Sequence, residues 1–144
     1  MRPPAFPFIT AVASWAIAQA DIVAAGLAGS WARGNPRTNS DVDFLFLSTS
    51  PEARRASVTW TKELCRYALG NRLKSFHDAR YGMVWSRHVT LFSGHKLELT
   101  FARTDWASTA PIDAGTIFVV RDAFRVLHDP TAVLSKLMAA VGEA

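Results

Sequence analysis

The fold of this chain is decided by the sequence GSWARG at residues 29–34, followed by SDVDFLFL at residues 40–47. The apolar run that ends this stretch predicts a buried strand beginning at two aspartates. Side chains at positions i and i+2 of a strand point to the same face, so we expect Asp41 and Asp43 to lie together while Val42 faces the other way. Charge at the start of a hydrophobic strand is costly unless it is paired or bound to a cation. The two aspartates are therefore candidate metal ligands.

The residues that precede this strand complement its carboxylates. Paired carboxylates suit Mg²⁺, which takes one or two protein carboxylates and completes its shell with water and substrate phosphates. Gly29 lets the backbone approach a ligand closely, and Ser30 at the start of a helix offers a hydroxyl and free N–H groups to a phosphate. The alternative is a structural turn in which the aspartates cap a helix or pair with Arg33 and Arg37.

Together these motifs resemble the nucleotidyltransferase superfamily of DNA polymerase β, particularly its minimal bacterial members. The resemblance is close over residues 22–47 and continues, as an order of elements, from residue 81 to residue 130. It implies a palm-like fold, catalytic and metal-binding roles for Asp41 and Asp43, and a third carboxylate on a neighbouring strand. It also implies two Mg²⁺ ions and, as co-substrate, ATP or another nucleoside triphosphate.

Four residues outside the acidic pair are candidate nucleotide contacts: Gly29, Ser30, Arg33 and Ser40. Gly29 and Ser30 would hold the β- and γ-phosphates. Arg33 would either stabilise phosphate charge or anchor its loop to a carboxylate, and the sequence leaves both roles open. Trp31 directly follows Ser30 and is a weaker candidate for the wall of a nucleotide or acceptor pocket.

The third carboxylate is predicted from a pattern of strict alternation in KLELTF at residues 96–101. Leu97 and Leu99 share one face of this strand, so Glu98 points to the opposite face. If the strand lies beside the one that holds the aspartates, Glu98 completes the catalytic and metal-binding set. The alternative is an exposed glutamate on an edge strand. Asp105 and Asp113 are weaker candidates, because they lie among residues typical of turns.

The order of elements predicts one α/β (α+β) domain at residues 1–144, with a mixed β-sheet flanked by helices. Helices are expected over residues 8–20, just after residue 29, over residues 51–69, and from residue 129 to the end. Strands are expected at residues 22–27, 41–47, 82–92, 96–101, 116–120 and 125–127. Residues 70–80 are predicted to form a polar, basic connection.

Charge and composition narrow the class of partner. Residues 53–97 contain nine basic and two acidic residues, a surplus that attracts a polyanion. A nucleoside triphosphate is favoured over nucleic acid, because the basic residues lack the aromatic interleaving of a single-strand groove.

Cys65 is the only cysteine, which fits a reducing, cytoplasmic setting. Prolines interrupt the apolar N-terminal stretch, so we expect a packed helix there and no membrane partner.

The predicted function is Mg²⁺-dependent transfer of a nucleoside monophosphate, AMP from ATP, to a hydroxyl of a small molecule such as an antibiotic. Two alternatives remain: an antitoxin-like enzyme that adenylylates a small helical protein, and a non-catalytic nucleotide-binding module. Only one helix is predicted after residue 129. We therefore expect a second copy of the chain or a partner protein to complete the acceptor pocket.

Overall fold

The structure, a computed structural model, describes residues 6–36 and 41–143. Within these residues one six-stranded mixed sheet is flanked on both faces by helices, which confirms the predicted α+β class. The strand order is β3-β4-β5-β2-β1-β6. The strands are β1 (Ile22–Ala28), β2 (Val42–Ser48), β3 (Leu73–Tyr81), β4 (Val84–Leu91), β5 (Lys96–Arg103) and β6 (Phe124–His128).

Six α-helices occur in the described part of the chain, and none of them is long and apolar enough to cross a membrane. A π-helical turn at Leu64–Ala68 and a 3₁₀ turn at Thr104–Ala107 accompany them. The helices are α1 (Phe6–Ile17), α2 (Gly29–Arg33), α3 (Pro51–Arg55), α4 (Thr59–Glu63), α5 (Ala114–Asp122) and α6 (Val133–Glu143).

Strand β2 lies in the middle of the sheet and is buried on both faces. It pairs antiparallel with β1 and parallel with β5. Phe44 and Phe46 enter a core covered by α1 and α4, whereas Leu45 and Leu47 enter a second core covered by the 3₁₀ turn and α6. Burial on both faces explains why the strand is apolar almost without interruption.

The predicted connection at residues 70–80 is wrong, because most of it forms strand β3 at the edge of the sheet. β3 pairs antiparallel with β4 through a two-residue turn at Gly82 and Met83, where Gly82 has a φ of 60°. Such turns require positive φ values, which glycine adopts readily. Most side chains of β3 are exposed, so the strand lacks the apolar alternation that would have predicted it.

The predicted strand at residues 116–120 is also wrong, because these residues lie inside helix α5. The Asp113 carboxylate caps this helix and accepts hydrogen bonds from the backbone N–H groups of Gly115 and Thr116, at 2.9 and 3.2 Å. Ile117 and Val119 pack against the second core. The cap and this packing outweigh the strand preference of the β-branched residues.

The single helix predicted over residues 51–69 is broken into α3, α4 and the π-helical turn. Ser57 lies in the break, where its Oγ accepts a hydrogen bond from the N–H of Thr59 at 3.3 Å. The indole Nε1 of Trp60 donates to the carbonyl of Arg54 at 2.7 Å. Side chains thus satisfy backbone groups that an unbroken helix would pair internally.

The helix predicted from residue 129 begins at Val133, and α1 ends at Ile17, before its predicted end at residue 20. Asp129 caps the final helix from outside, since its carboxylate accepts hydrogen bonds from the N–H groups of Leu134 and Ser135 at 3.1 and 2.9 Å.

Arg87 on β4 is buried and joins the edge hairpin to the helices. Its Nε and Nη2 donate to the two carboxylate oxygens of Asp78 on β3 at 2.8 and 2.9 Å. Its Nη1 and Nη2 also donate to the carbonyls of Ser57 and Arg55 at 2.8 and 3.1 Å. Three aromatic rings lie within 5.3 Å of the guanidinium, those of Trp60, Phe76 and Trp85. The broken helix therefore supplies the acceptors that a buried arginine needs.

We predict that Arg87→Met lowers the free energy of unfolding by about 3–5 kcal/mol, because it leaves Asp78 and the two carbonyls without their donor. Urea denaturation at neutral pH measures the change. Arg103→Met is the control, since the Arg103–Asp105 pair is exposed and should contribute about 0–1 kcal/mol. Equal losses in the two variants would contradict a central role for Arg87.

Candidate functional site

Asp43 and Glu98 lie side by side on one face of the sheet. Asp43 of β2 is opposite Glu98 in the parallel β2–β5 pairing and opposite Ala28 in the antiparallel β1–β2 pairing. Both acids are partly buried. The predicted orientation of Glu98 therefore agrees with the structure, which brings it next to one of the two aspartates.

The pKa of Asp43 is raised from an ordinary value of 3.8 to about 7. Burial is the largest cause, and the neighbouring Glu98 adds to it through charge repulsion and a hydrogen bond. The charge of Asp41 raises the pKa further, while that of Arg33 lowers it. In the absence of a cation, Asp43 therefore holds a proton below about pH 7.

Asp41 is exposed and immediately precedes β2. Residues 6–36 and 41–143 contain no group of three or more His, Cys, Asp or Glu side chains arranged to hold a metal ion. The three-acid metal site thus stays a prediction. Asp43 and Glu98 alone match the one or two carboxylates that Mg²⁺ commonly takes.

Gly29 packs directly against the Asp43 carboxylate. Its φ is 71°, and a Cβ at this position would collide with Asp43 Oδ2. Only glycine therefore allows the start of α2 to lie this close to the acid. Ser30 is in the first turn of the same short helix, which ends at Arg33 and is capped by Gly34.

Arg33 forms an ion pair with Asp122 at the end of α5, with 2.8 Å between Nη1 and Oδ2. Of its two predicted roles, the anchoring of its loop to a carboxylate is the one with a partner in the structure. Trp31 packs against the first core. Ser40, the remaining predicted nucleotide contact, lies outside the described residues.

The two weaker acidic candidates have local partners. Asp105 lies 3.8 Å from Arg103 Nε, and Asp113 caps α5. Cys65 is buried, and burial raises the pKa of its thiol to about 11, which makes it unreactive.

A row of side chains that was not predicted from the sequence extends the acidic pair across the sheet. His88 of β4 is opposite Glu98, and His77 of β3 is opposite His88. The two imidazoles stack with their centroids 4.6 Å apart, and His88 Nε2 lies 3.7 Å from Glu98 Oε1 and 3.2 Å from the Tyr81 hydroxyl. The sequence contains a pattern that predicts this pair. The two histidines lie at equal distances on either side of the Gly82–Met83 turn, as cross-strand partners in a hairpin do.

A cleft of about 240 Å³ lies over this face, between the sheet and α5. Gly29, Asp43 and Glu98 line one end of it, and Asp122 contributes from α5. The cleft combines a pair of acids, a close backbone approach and a nearby arginine, which is a suitable environment for a metal-bound phosphate.

We predict that the contribution of Asp43 to the stability of the metal-free protein falls as the pH rises from about 4 to about 7. The folded pKa of Asp43 is the higher one, so in this window the folded state holds a proton that the unfolded state has released. Asp43→Asn should remove this part of the pH dependence. Thermal unfolding in EDTA across this window measures it, with Asp105→Asn as the control. An unchanged pH dependence in Asp43→Asn would contradict the prediction.

No protein-family model matches the chain, and no curated protein matches it. Among solved structures, it is similar to an aminoglycoside 6-adenyltransferase from Bacillus subtilis, with a TM-score of 0.55 and 14% sequence identity. The match covers 72% of this chain and 36% of that one, so the chain corresponds to about a third of the length of that enzyme. The similarity shows that the mixed sheet and its flanking helices form a fold that is also found in a nucleotidyltransferase.

Proposed function

We propose that the protein is a nucleotidyltransferase that moves a nucleoside monophosphate, AMP from ATP, to a hydroxyl group of a small molecule. The observation that carries this proposal is the pairing of Asp43 with Glu98 directly against Gly29. The shared fold with an adenyltransferase supports it. An antibiotic is one acceptor of the required kind.

Asp43 and Glu98 would hold Mg²⁺, with the triphosphate supplying further oxygen ligands. The metal, when bound, neutralises phosphate charge and lowers the pKa of the acceptor hydroxyl. The sequence resemblance implies two ions, of which the other would be held by Asp41 and Asp43. Gly29 and Ser30 would offer their backbone N–H groups to the β- and γ-phosphates.

The two sides of the acidic pair suggest a direction for the reaction. In an in-line transfer the attacking oxygen and the leaving group lie on opposite sides of the α-phosphorus. Gly29 and Ser30 follow β1, on one side of Asp43, whereas Glu98 is on the other side. We therefore assign the leaving pyrophosphate to the β1 side and the acceptor to the β5 side.

The chemical step forms a bond between the acceptor oxygen and the α-phosphorus and breaks the bond to pyrophosphate. Glu98 would take the proton that the hydroxyl loses. His88 contacts Glu98 and would orient its carboxylate. Arg33, held by Asp122, would lend positive charge to the phosphate side.

We place this activity in the cytoplasm, where the buried, unpaired Cys65 stays reduced. The partners that we propose are a nucleoside triphosphate and a hydroxyl-bearing acceptor. A second copy of the chain, or a helical protein, would help to enclose the acceptor.

We predict that the protein with Mg²⁺ and α-labelled ATP transfers label to a discrete acceptor in lysate, and that Asp43→Asn reduces this transfer at least 100-fold. Loss of a group that stabilises charge at the reacting phosphate costs roughly two to three orders of magnitude. Labelled small molecules are separated from labelled proteins after the reaction. A panel of aminoglycosides and a lincosamide is tested in the same way as defined acceptors. Asp105→Asn is the control and should retain the activity.

A labelled protein band that is lost in Asp43→Asn would instead favour the protein-modifying function. Equal labelling by the wild type and Asp43→Asn would contradict the proposed function in either form.

We further predict that Gly29→Ala abolishes the rise in melting temperature that MgATP produces, since the added methyl group meets the Asp43 carboxylate. Gly34→Ala is a matched control: Gly34 also has a positive φ, of 79°, but a Cβ there would meet no atom of the described residues within 4 Å. Both variants carry backbone strain, and only the first obstructs the site. Similar responses of the two variants to MgATP would contradict the role of Gly29.

A further inference from the structure

The cleft beside Asp43 and Glu98 continues into an apolar pocket of about 390 Å³. Tyr81, at the end of β3, and Met83, in the hairpin turn, form one wall of this pocket, and the start of α5 forms another. Four residues line both cavities: Val84, Trp106, Phe118 and Val119. The result is one groove with an acidic end and an apolar end.

The length of the groove follows from the strand register. Glu98 marks the acidic end, and Ala102, opposite Val84 in the β4–β5 pairing, marks the apolar end. Four residues of strand span about 13 Å. Between them the hydroxyls of Ser86 and Thr100 are hydrogen-bonded at 2.6 Å. This span accommodates a ribose and a base attached to phosphates at the acidic end.

Phe118 is the dominant side chain at the apolar end. It lies on α5 and is 74% exposed, although it belongs to the wall of the groove. Tyr81 and Met83 are also about half exposed. An exposed cluster of large apolar side chains beside a polar cleft is typical of a binding surface.

The charged side chains at the apolar end indicate which class of ligand it can bind. No basic side chain is among the described residues that line it, so phosphate has no partner there. Asp113 is its acidic residue, and Oδ2 of that carboxylate already accepts two hydrogen bonds from the backbone of α5. A polycationic aminoglycoside would find little complementary charge. A flat, uncharged aromatic ring suits the lining.

We propose that the apolar end of the groove is the nucleobase subsite and that the base stacks on Phe118. This inference rests on the proposed function, because it assigns the triphosphate to the acidic end. Stacking on an aromatic side chain is open to every base, since each has a π-face. Phe118 therefore contributes to nucleotide affinity without contacting the phosphates.

The test compares the affinity of the full chain for MgATP and for magnesium tripolyphosphate, which carries the phosphates without ribose or base. Titration calorimetry should give tighter binding of MgATP to the wild type. Phe118→Ala should weaken MgATP binding roughly 5- to 150-fold, which corresponds to the loss of one base–aromatic stack. It should leave tripolyphosphate binding unchanged, and Phe118→Trp should retain most of the affinity for MgATP.

Phe92→Ala is the matched control, because Phe92 is also exposed, at 60%, and does not line the groove. If the wild type binds tripolyphosphate and MgATP equally, or if Phe118→Ala keeps its preference for MgATP, the nucleobase subsite is wrong while the triphosphate site stands. If the wild type binds neither ligand, the proposed function fails and the subsite with it.

Discussion

The parallel pairing of β2 with β5 is the constraint on which the rest of the site depends. It puts Asp43 beside Glu98 on a partly buried face, where two negative charges repel each other strongly. The pKa of Asp43 rises to about 7 as a result, chiefly through burial and then through Glu98. A proton or a cation relieves the repulsion. The absence of a side chain at Gly29 leaves the carboxylate accessible to the backbone at the start of α2.

The register of β2 is held by the two cores that it separates. Its side chains alternate between the cluster below α1 and the cluster below α6. A slip of one residue would turn the Asp43 carboxylate into the first core and move Phe44 and Phe46 into the second, so the alternative register is strongly disfavoured. The stability of the hydrophobic layers thus fixes the position of the acids.

The opposite side of the site depends on an edge strand, β3, with little buried apolar surface of its own. Strand β3 carries His77 and Tyr81 towards Glu98, yet most of its side chains are exposed. Arg87 compensates by binding Asp78 and the carbonyls of the broken helix, with aromatic rings around its guanidinium. One buried arginine therefore connects the framework to the histidine row, and the two carbonyls that it binds are available because α3 and α4 are separate.

Elements with strong periodicity could be predicted from the amino-acid sequence alone. The apolar run after Asp43 predicted β2, and strict alternation around Glu98 predicted both β5 and the face on which its acid lies. The turn at Gly29 and Ser30 was also predicted, from the backbone freedom of glycine and the preference of serine for the start of a helix. These features depend on neighbouring residues in the chain, so a single sequence carries them.

Which elements are neighbours became known only from the three-dimensional fold. It brought Glu98 beside Asp43, paired Arg33 with Asp122 across 89 residues, and made α5 a helix that forms a wall of the cleft. It also made a strand of the polar residues before Tyr81, because their partners lie on β4 and on the helices that anchor Arg87. Periodicity records which face of an element is apolar, whereas the order of strands depends on long-range packing that no local pattern contains.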